Sequence, residues 1–306
     1  MRKDKQVAMG FKHYVVLFST LIIFSLCSFF LLAKSVDLGH NSPIHAGSDP
    51  SYVVILGDTG TGEQKQYDIA NRVKKYCQNH NCYSAFIAGD VIYNDGVSNL
   101  SDPQFDTKFE DPYAQVDLVF NIAYGNHDYH GCTKCYMDYS DLSPKWNMPF
   151  KYYKVSYPDV DYFVINTEKV TQKQQDWLAS KLSTSKAKWK VVVGHKPLIT
   201  YEASHTGERW DGRQEIKSII CRNADVYVTG HAHLLEDIGK VTDCTVKQLI
   251  SGGGGASTRS VIPNQKDKFV YEARGFLTMG VVDGNLTYGF RDIHGTLLRK
   301  VVLKKN

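Results

Sequence analysis

Beyond its first 35 residues the chain lacks an excess of charge of either sign. Arg2, Lys3, Lys5, Lys12 and Lys34 against Asp4 account for the whole formal charge of +4. A neutral body argues against nucleic acid as a partner, because phosphate backbones are held by surplus Lys and Arg. No internal repeat stands out, and nothing in 306 residues forces a second domain, so one sizeable core is expected. Cys132-Thr133-Lys134-Cys135 has no second pair of the same spacing, which counts against a zinc ribbon; a redox role is the other alternative. The apolar run from Tyr14 to Ala33 lacks an amphipathic period, which counts against a buried core helix.

That run is long enough to cross a bilayer. Basic residues precede it, so residues 1–13 read as a cytoplasmic segment and residues 14–35 as a signal peptide or membrane anchor. Ala33-Lys34-Ser35 could serve as a cleavage site, and both outcomes stay open. Either way the body is expected outside the cytoplasm: secreted, periplasmic or tethered. Residues 36–50 read as a linker and residues 51–306 as the folded domain. Outside the run six cysteines remain, and an even number in an exported protein favours disulfides. Proximity suggests Cys77 with Cys82, Cys132 with Cys135, and Cys221 with Cys244, although other pairings are possible.

From Ser51 short apolar runs alternate with helical patterns. Strands are expected at Tyr52–Leu56, Ala85–Ala88, Leu118–Ala123, Tyr162–Ile165, Val191–Val193 and Val226–Val228. Ile69, Val73 and Cys77 fall on one helical face, and Thr171 with Gln174 makes a capping-box signature. After Thr245 strands dominate, interrupted by Gly252–Gly255, which reads as flexible. The alternation implies an α/β layered fold with much of its sheet parallel.

Five of those runs finish in glycine followed at once by a metal-ligand residue type. They are Gly57-Asp58, Gly89-Asp90 with Tyr93 three residues on, Gly125-Asn126-His127-Asp128, Gly194-His195 and Gly230-His231-Ala232-His233. In open α/β sheets the carboxyl ends of the strands share one edge, where ligands bind. Each piece alone has a bland reading, as a turn, a loop pair or a structural strand histidine. Their joint occurrence in order at strand ends favours chemistry. Carboxylate, amide and imidazole together suit two cations such as Fe, Mn or Zn.

This order of residues resembles the calcineurin-like metallophosphoesterases. Tyr93 narrows the resemblance to the purple acid phosphatases, closest to the small tartrate-resistant acid phosphatases, over most of Tyr52 to Ser257. Phe109-Glu110-Asp111, Lys145-Trp146-Asn147, Tyr152-Tyr153 and the Glu202–Gly207 segment containing His205 support it. The chain departs at Thr59, where the family usually has Trp, at Val91-Ile92 in place of Asn-Phe, and at Lys196 in place of Tyr. None of these is a ligand position, so they bear on substrate preference.

The resemblance implies an α/β/β/α sandwich with a single catalytic domain, and hydrolysis of phosphate monoesters by hydroxide generated on two metals. One metal would be held by Asp58, Asp90, Tyr93 and His233, the other by Asp90, Asn126, His195 and His231. The first set, rich in anionic oxygen, suits Fe(III); the second suits Fe(II), Zn or Mn. His127 and His205 would be free to orient phosphate or protonate the leaving oxygen. Asp128 is expected to orient a ligand by hydrogen bonding, and His130 to be a solvated loop residue. Membrane contact is expected only through the N-terminal segment. Two rival readings remain: a phosphodiesterase or nucleotidase of the same superfamily, and a non-catalytic surface binding protein with a vestigial metal site. Mammalian relatives carry a long restraining loop after the strand resembling Tyr162–Ile165, where this chain has only Asn166–Val170.

Overall fold

The computed structural model describes residues 50–305. The basic segment, the apolar run and the linker before Pro50 lie outside the described residues. Among the described residues no helix is long and apolar enough to cross a membrane.

Two mixed seven-stranded sheets form the body. In the first, β1 (Ser51–Leu56), β2 (Asn81–Ala88), β3 (Phe120–Ala123) and the short β4 (Trp146–Asn147) run parallel. An antiparallel meander of β12 (Gly275–Val282), β13 (Asn285–Asp292) and β14 (Leu297–Leu303) joins the β1 side. In the second, β6 (Val160–Val164), β7 (Trp189–Val193), β8 (Val226–Thr229) and β10 (Lys247–Ser251) are parallel. Antiparallel β5 (Tyr153–Tyr157) closes one side, and β9 (Leu235–Lys240) with β11 (Phe269–Tyr271) the other. Helices α1 (Gln64–Asn79), α4 (Gln172–Thr184) and α5 (Arg213–Asn223) cover the sheets. The turns α2 (Asp111–Tyr113) and α3 (Thr133–Asp138) lie between β2 and β4.

The period of two in a strand sorts side chains between faces. Tyr162, Val164, Val191, Val193, Val226 and Val228 join the core shared with the first sheet, where Phe86 stacks on Tyr162 with ring centroids 4.7 Å apart. Their neighbours Phe163, Val192 and Tyr227 face the other way, onto Leu178 and Leu182 of α4 and Ile216 and Ile220 of α5. Both faces of these second-sheet strands are therefore covered, which is why Val191–Val193 reads as an unbroken apolar run. Each such side chain contributes about 1.5–3 kcal/mol on burial.

The expected strands all form, with shifted ends. β2 begins at Asn81 because its parallel pairing with β1 starts at Ser51↔Asn81. The inward face of α1 carries Ile69, Val73 and Tyr76, with Cys77 at its margin bonded to Cys82. The other bonds are Cys132–Cys135 and Cys221–Cys244. Three disulfides suit an oxidising compartment.

Two local expectations are corrected. Thr171 caps α4 by accepting from Gln174 N at 3.3 Å, but Gln174 does not return the bond to the cap. Its amide instead clamps Asn166, accepting from its N at 2.9 Å and donating to its O at 2.8 Å. The Gly252–Gly255 run is not a flexible interruption: all four residues are buried. Gly252 N donates to Leu234 O and Gly254 N to Gly57 O, each at 3.0 Å. A Cβ on Gly252 would meet Ala232 O at 1.9 Å, so glycine is there for close approach.

Candidate metal centre

The loops after β1, β2, β3, β7 and β8 meet where the two sheets abut. Gly57 N donates to Ser251 O across that seam at 2.7 Å, and Gly57 lies against Gly230. The glycines make room for carboxylates. A Cβ on Gly125 would fall 2.1 Å from Asp90 Oδ1, and one on Gly230 would fall 2.5 Å from Asp58 Oδ2. Asp58, Asp90 and His231 adopt left-handed backbone at φ 59°, 52° and 67°. Such conformations cost about 1–2 kcal/mol for an L-residue and gather at functional sites.

The side chains at these turns converge in two groups. In one, Tyr93 Oη lies 3.1 Å from both Asp58 Oδ1 and His233 Nε2, and those two are 3.4 Å apart. In the other, His195 Nε2 lies 3.1 Å from Asn126 Oδ1, 3.2 Å from His231 Nδ1 and 3.4 Å from Asp90 Oδ2. Asp58, Asp90 and His195 also bring ligand atoms within 4.8 Å of one another, which links the groups. The backbone fixes which ring nitrogens point inward. His195 Nδ1 donates to Ala88 O and His233 Nδ1 to Ser257 O, both at 2.8 Å, so each Nε2 faces the cluster and in the neutral ring presents its lone pair there. Donors then fall short of acceptors. Tyr93 has one proton for two acceptors, and His195 Nε2 faces three more. A buried cluster of acceptors without matching donors is the arrangement a cation satisfies. The residues present therefore fit a pair of bound metal ions.

Electrostatics point the same way. Burial opposes charge on Asp90, yet His195 and His127 beside it hold its carboxyl far below the usual range. Burial likewise opposes charge on His195, but the Asp90 and Asp58 carboxylates raise its pKa to about 10, so a proton competes with a cation for Nε2. For Tyr93, burial comes first and Asp58 with Asp90 adds to it, so its phenol is pushed well above its ordinary value. Ionising that phenol requires positive charge at the cluster.

His127 lies beside Asp90 and Tyr93, and His205 beside His231. His127 N donates to Asp90 Oδ1 at 3.0 Å, its Nδ1 engages Asn94 O, and its ring lies 4.5 Å from that of Tyr93. The His205 ring lies against that of His231, centroids 4.0 Å apart and planes tilted by 33°. His130 is exposed and pairs with Asp95 at 3.3 Å. Asp128 acts on the ligand loops through backbone: among the described residues it has no hydrogen bond to a candidate ligand side chain. Its oxygens accept from Val91 N at 3.0 Å, Ile92 N at 3.1 Å and Gly125 N at 2.7 Å, clamping two ligand loops together through backbone.

Sequence reasoning gave no role to five charged neighbours. Glu202, fully buried, accepts from His205 Nδ1 at 2.9 Å and from His233 N at 3.2 Å. Burial opposes its charge, yet the bonds from His205 and Ser204 lower its pKa to about 2. Arg259 Nη1 lies 3.1 Å from His205 Nε2. Glu208 meets His231, and Lys196 pairs with Glu168 at 3.1 Å. Only the departure at Lys196 and the family-like Glu202–Gly207 segment signalled any of these beforehand.

The calcineurin-like phosphoesterase family matches residues 51–235. Purple acid phosphatase 7 of Arabidopsis thaliana is 26% identical over 326 residues, covering 95% of this chain and 97% of the relative. Tartrate-resistant acid phosphatase type 5 of Mus musculus is 25% identical, covering 71% of this chain and 77% of the relative. Among solved structures, purple acid phosphatase PPD1 from yellow lupin (Lupinus luteus) seeds superposes with a TM-score of 0.70 at 17% identity, covering 85% of this chain and 55% of that one. GAP50, described as the anchor in the inner membrane complex of Plasmodium, superposes with a TM-score of 0.73 at 21% identity, covering 84% and 90%. At those identities the two structures speak to fold alone. Over its central 51–235 stretch and its strand-end residues together, this chain belongs to the calcineurin-like phosphoesterase family and resembles its purple acid phosphatase branch.

Proposed function

We propose that the chain is a binuclear-metal acid phosphatase acting on phosphate monoesters outside the cytoplasm. The observation that carries this reading is the convergence of lone pairs. Asp58, Tyr93 and His233 face one point, while Asn126, His195 and His231 face another, with Asp90 beside His195. Two cations held there, Fe(III) with Fe(II), Zn or Mn, would polarise a phosphate ester and activate water at mild pH.

The chain's own groups do the rest. Asp58 splits its oxygens: Oδ2 accepts from His231 N at 2.8 Å and fixes the second sheet's loop, leaving Oδ1 toward Tyr93 and His233. With His127 Nδ1 engaged by Asn94 O, its Nε2 is the nitrogen free to hold a proton for the leaving oxygen. His205, oriented by Glu202, presents its other nitrogen beside Arg259, where a phosphoryl group could be gripped.

The test is metal content and visible absorption of the purified protein, with turnover of nitrophenyl phosphate compared with its bis-ester. About two metals per chain and preference for the monoester support the proposal. A preference for the bis-ester would favour the phosphodiesterase reading, and absence of bound metal the vestigial one.

A further inference from the structure

Three histidines supply the nitrogen ligands of the proposed centre, and their orientation is fixed in two different ways. For His195 and His233 the outward nitrogen donates to a backbone carbonyl, Ala88 O and Ser257 O respectively. For His231 the outward nitrogen, Nε2, meets a side chain instead: Glu208 Oε2 at 2.7 Å. A carboxylate only accepts, so Nε2 must carry the proton and Nδ1 is left bare. That Nδ1 is the atom 3.2 Å from His195 Nε2, inside the second group of ligands. The two nitrogens of an imidazole point in divergent directions, so Glu208 itself stands outside that group.

Glu208 is in turn held by charge. Its Oε1 lies 3.8 Å from Lys196 Nζ, which also pairs with Glu168 Oε2 at 3.1 Å. The side chains of Lys196 and Glu168 are mostly buried, while Glu208 is about a third exposed, so the row runs from the interior to the rim. Lys196 follows His195 directly in the chain, and its N donates to Thr167 Oγ1 at 3.0 Å. It is also the position at which this sequence departs from the family's tyrosine.

We infer that Glu208, pinned by Lys196 and Glu168, is a positioning residue that sets the tautomer and angle of His231 for the second cation. The inference rests on the phosphatase reading above and adds to it a residue outside the seven candidate ligands. Carboxylates that take the far N–H of a metal-bound histidine orient the ring and raise its basicity. Without one, His231 can place its proton on Nδ1 and turn a ligand into a donor.

The test uses the full chain and measures affinity for Zn(II) and Mn(II) by competition with a chelator, alongside total metal content. Glu208→Ala is expected to weaken one of the two cations by about 10–100-fold and leave the other in place. The retained cation and an unchanged thermal transition show that the variant is folded. Glu208→Gln keeps an acceptor for Nε2–H and should stay within a few-fold of the unaltered protein. Lys196→Met should fall between the two. Added divalent metal should restore turnover to Glu208→Ala. Unchanged affinity in Glu208→Ala would overturn the inference, and so would equal losses in the Gln and Ala variants, which would point to charge rather than tautomer. Fewer than two cations in the unaltered protein would instead overturn the reading of the centre itself.

Discussion

The two sheets bring different chemistry to their shared seam. Turns after β1, β2 and β3 of the first sheet carry Asp58, Asp90, Tyr93 and Asn126, all oxygen donors. Turns after β7 and β8 of the second carry His195, His231 and His233, all nitrogen donors. Carboxylate charge thus lies on one side and imidazole on the other. The sheets are joined there by backbone, through Gly57 N to Ser251 O at 2.7 Å and Gly254 N to Gly57 O at 3.0 Å. Changes in the first sheet should therefore act on charge, and changes in the second on position and stability.

The largest expected effect comes from the first sheet. Asp90→Ala removes the carboxylate proposed to serve both cations, and both should be lost. Bound as proposed, they would stabilise the transition state by several kcal/mol, so turnover should fall on the order of 1,000-fold or more. Metal analysis with steady-state kinetics checks this, and near-normal activity would end the two-metal reading. Tyr93→Phe sharpens the contrast within the same sheet. It removes the only phenol among the candidate ligands, so an iron-loaded protein should lose its visible absorption band while keeping part of its turnover. A colourless unaltered protein containing stoichiometric iron would contradict this.

The contrast between sheets also explains what was legible in the sequence. Each ligand turn is a local pattern, an apolar run ending in glycine and then a ligand type, so Asp58, Asp90, Asn126, His195 and His231 could be picked out one strand at a time. The supporting groups obey no such pattern. Glu208 reaches His231 across 23 residues from an irregular segment, and Glu202 reaches His233 across 31. No periodicity marks those positions, because a loop side chain's partner is decided by tertiary packing. Gly252–Gly255 misled for the converse reason. Composition suggested freedom, whereas the backbones of β1 and the β8–β9 turn approach too closely for any side chain. Asp128 was noticed as a neighbour of ligands, but its partners are backbone amides, which a sequence does not advertise.

A smaller effect is expected from the second sheet's covalent tie. Cys221 on α5 is bonded to Cys244 in the turn between β9 and β10, closing a loop of 23 residues. Replacing both by Ser should cost about 2–4 kcal/mol of stability. The short loops closed by Cys77–Cys82 and Cys132–Cys135 should each matter less, since loop-closure entropy grows with length. Thermal unfolding with parallel metal analysis is the measurement. Loss of stability with metal uptake intact would support the division of labour between sheets, while loss of metal in the paired Ser variant would break it.

The smallest expected effect concerns access, again on the second sheet. The connection from β6 to α4 is short, and side chains pin it at both ends. Asn166 Oδ1 accepts from Glu168 N at 2.9 Å and Lys169 N at 3.1 Å, Gln174 clamps the Asn166 backbone, and Asn166 Nδ2 donates to Tyr129 Oη at 2.7 Å. A connection of this length is ordinary for an α/β unit and has no slack to cover a site mouth. The uncut, metal-loaded chain should therefore be fully active, with limited proteolysis leaving turnover unchanged. Turnover before and after brief protease treatment is the comparison to make, with the cleavage position read by mass. A several-fold rise on cutting would show that another segment restrains the site, and the segment released would identify it.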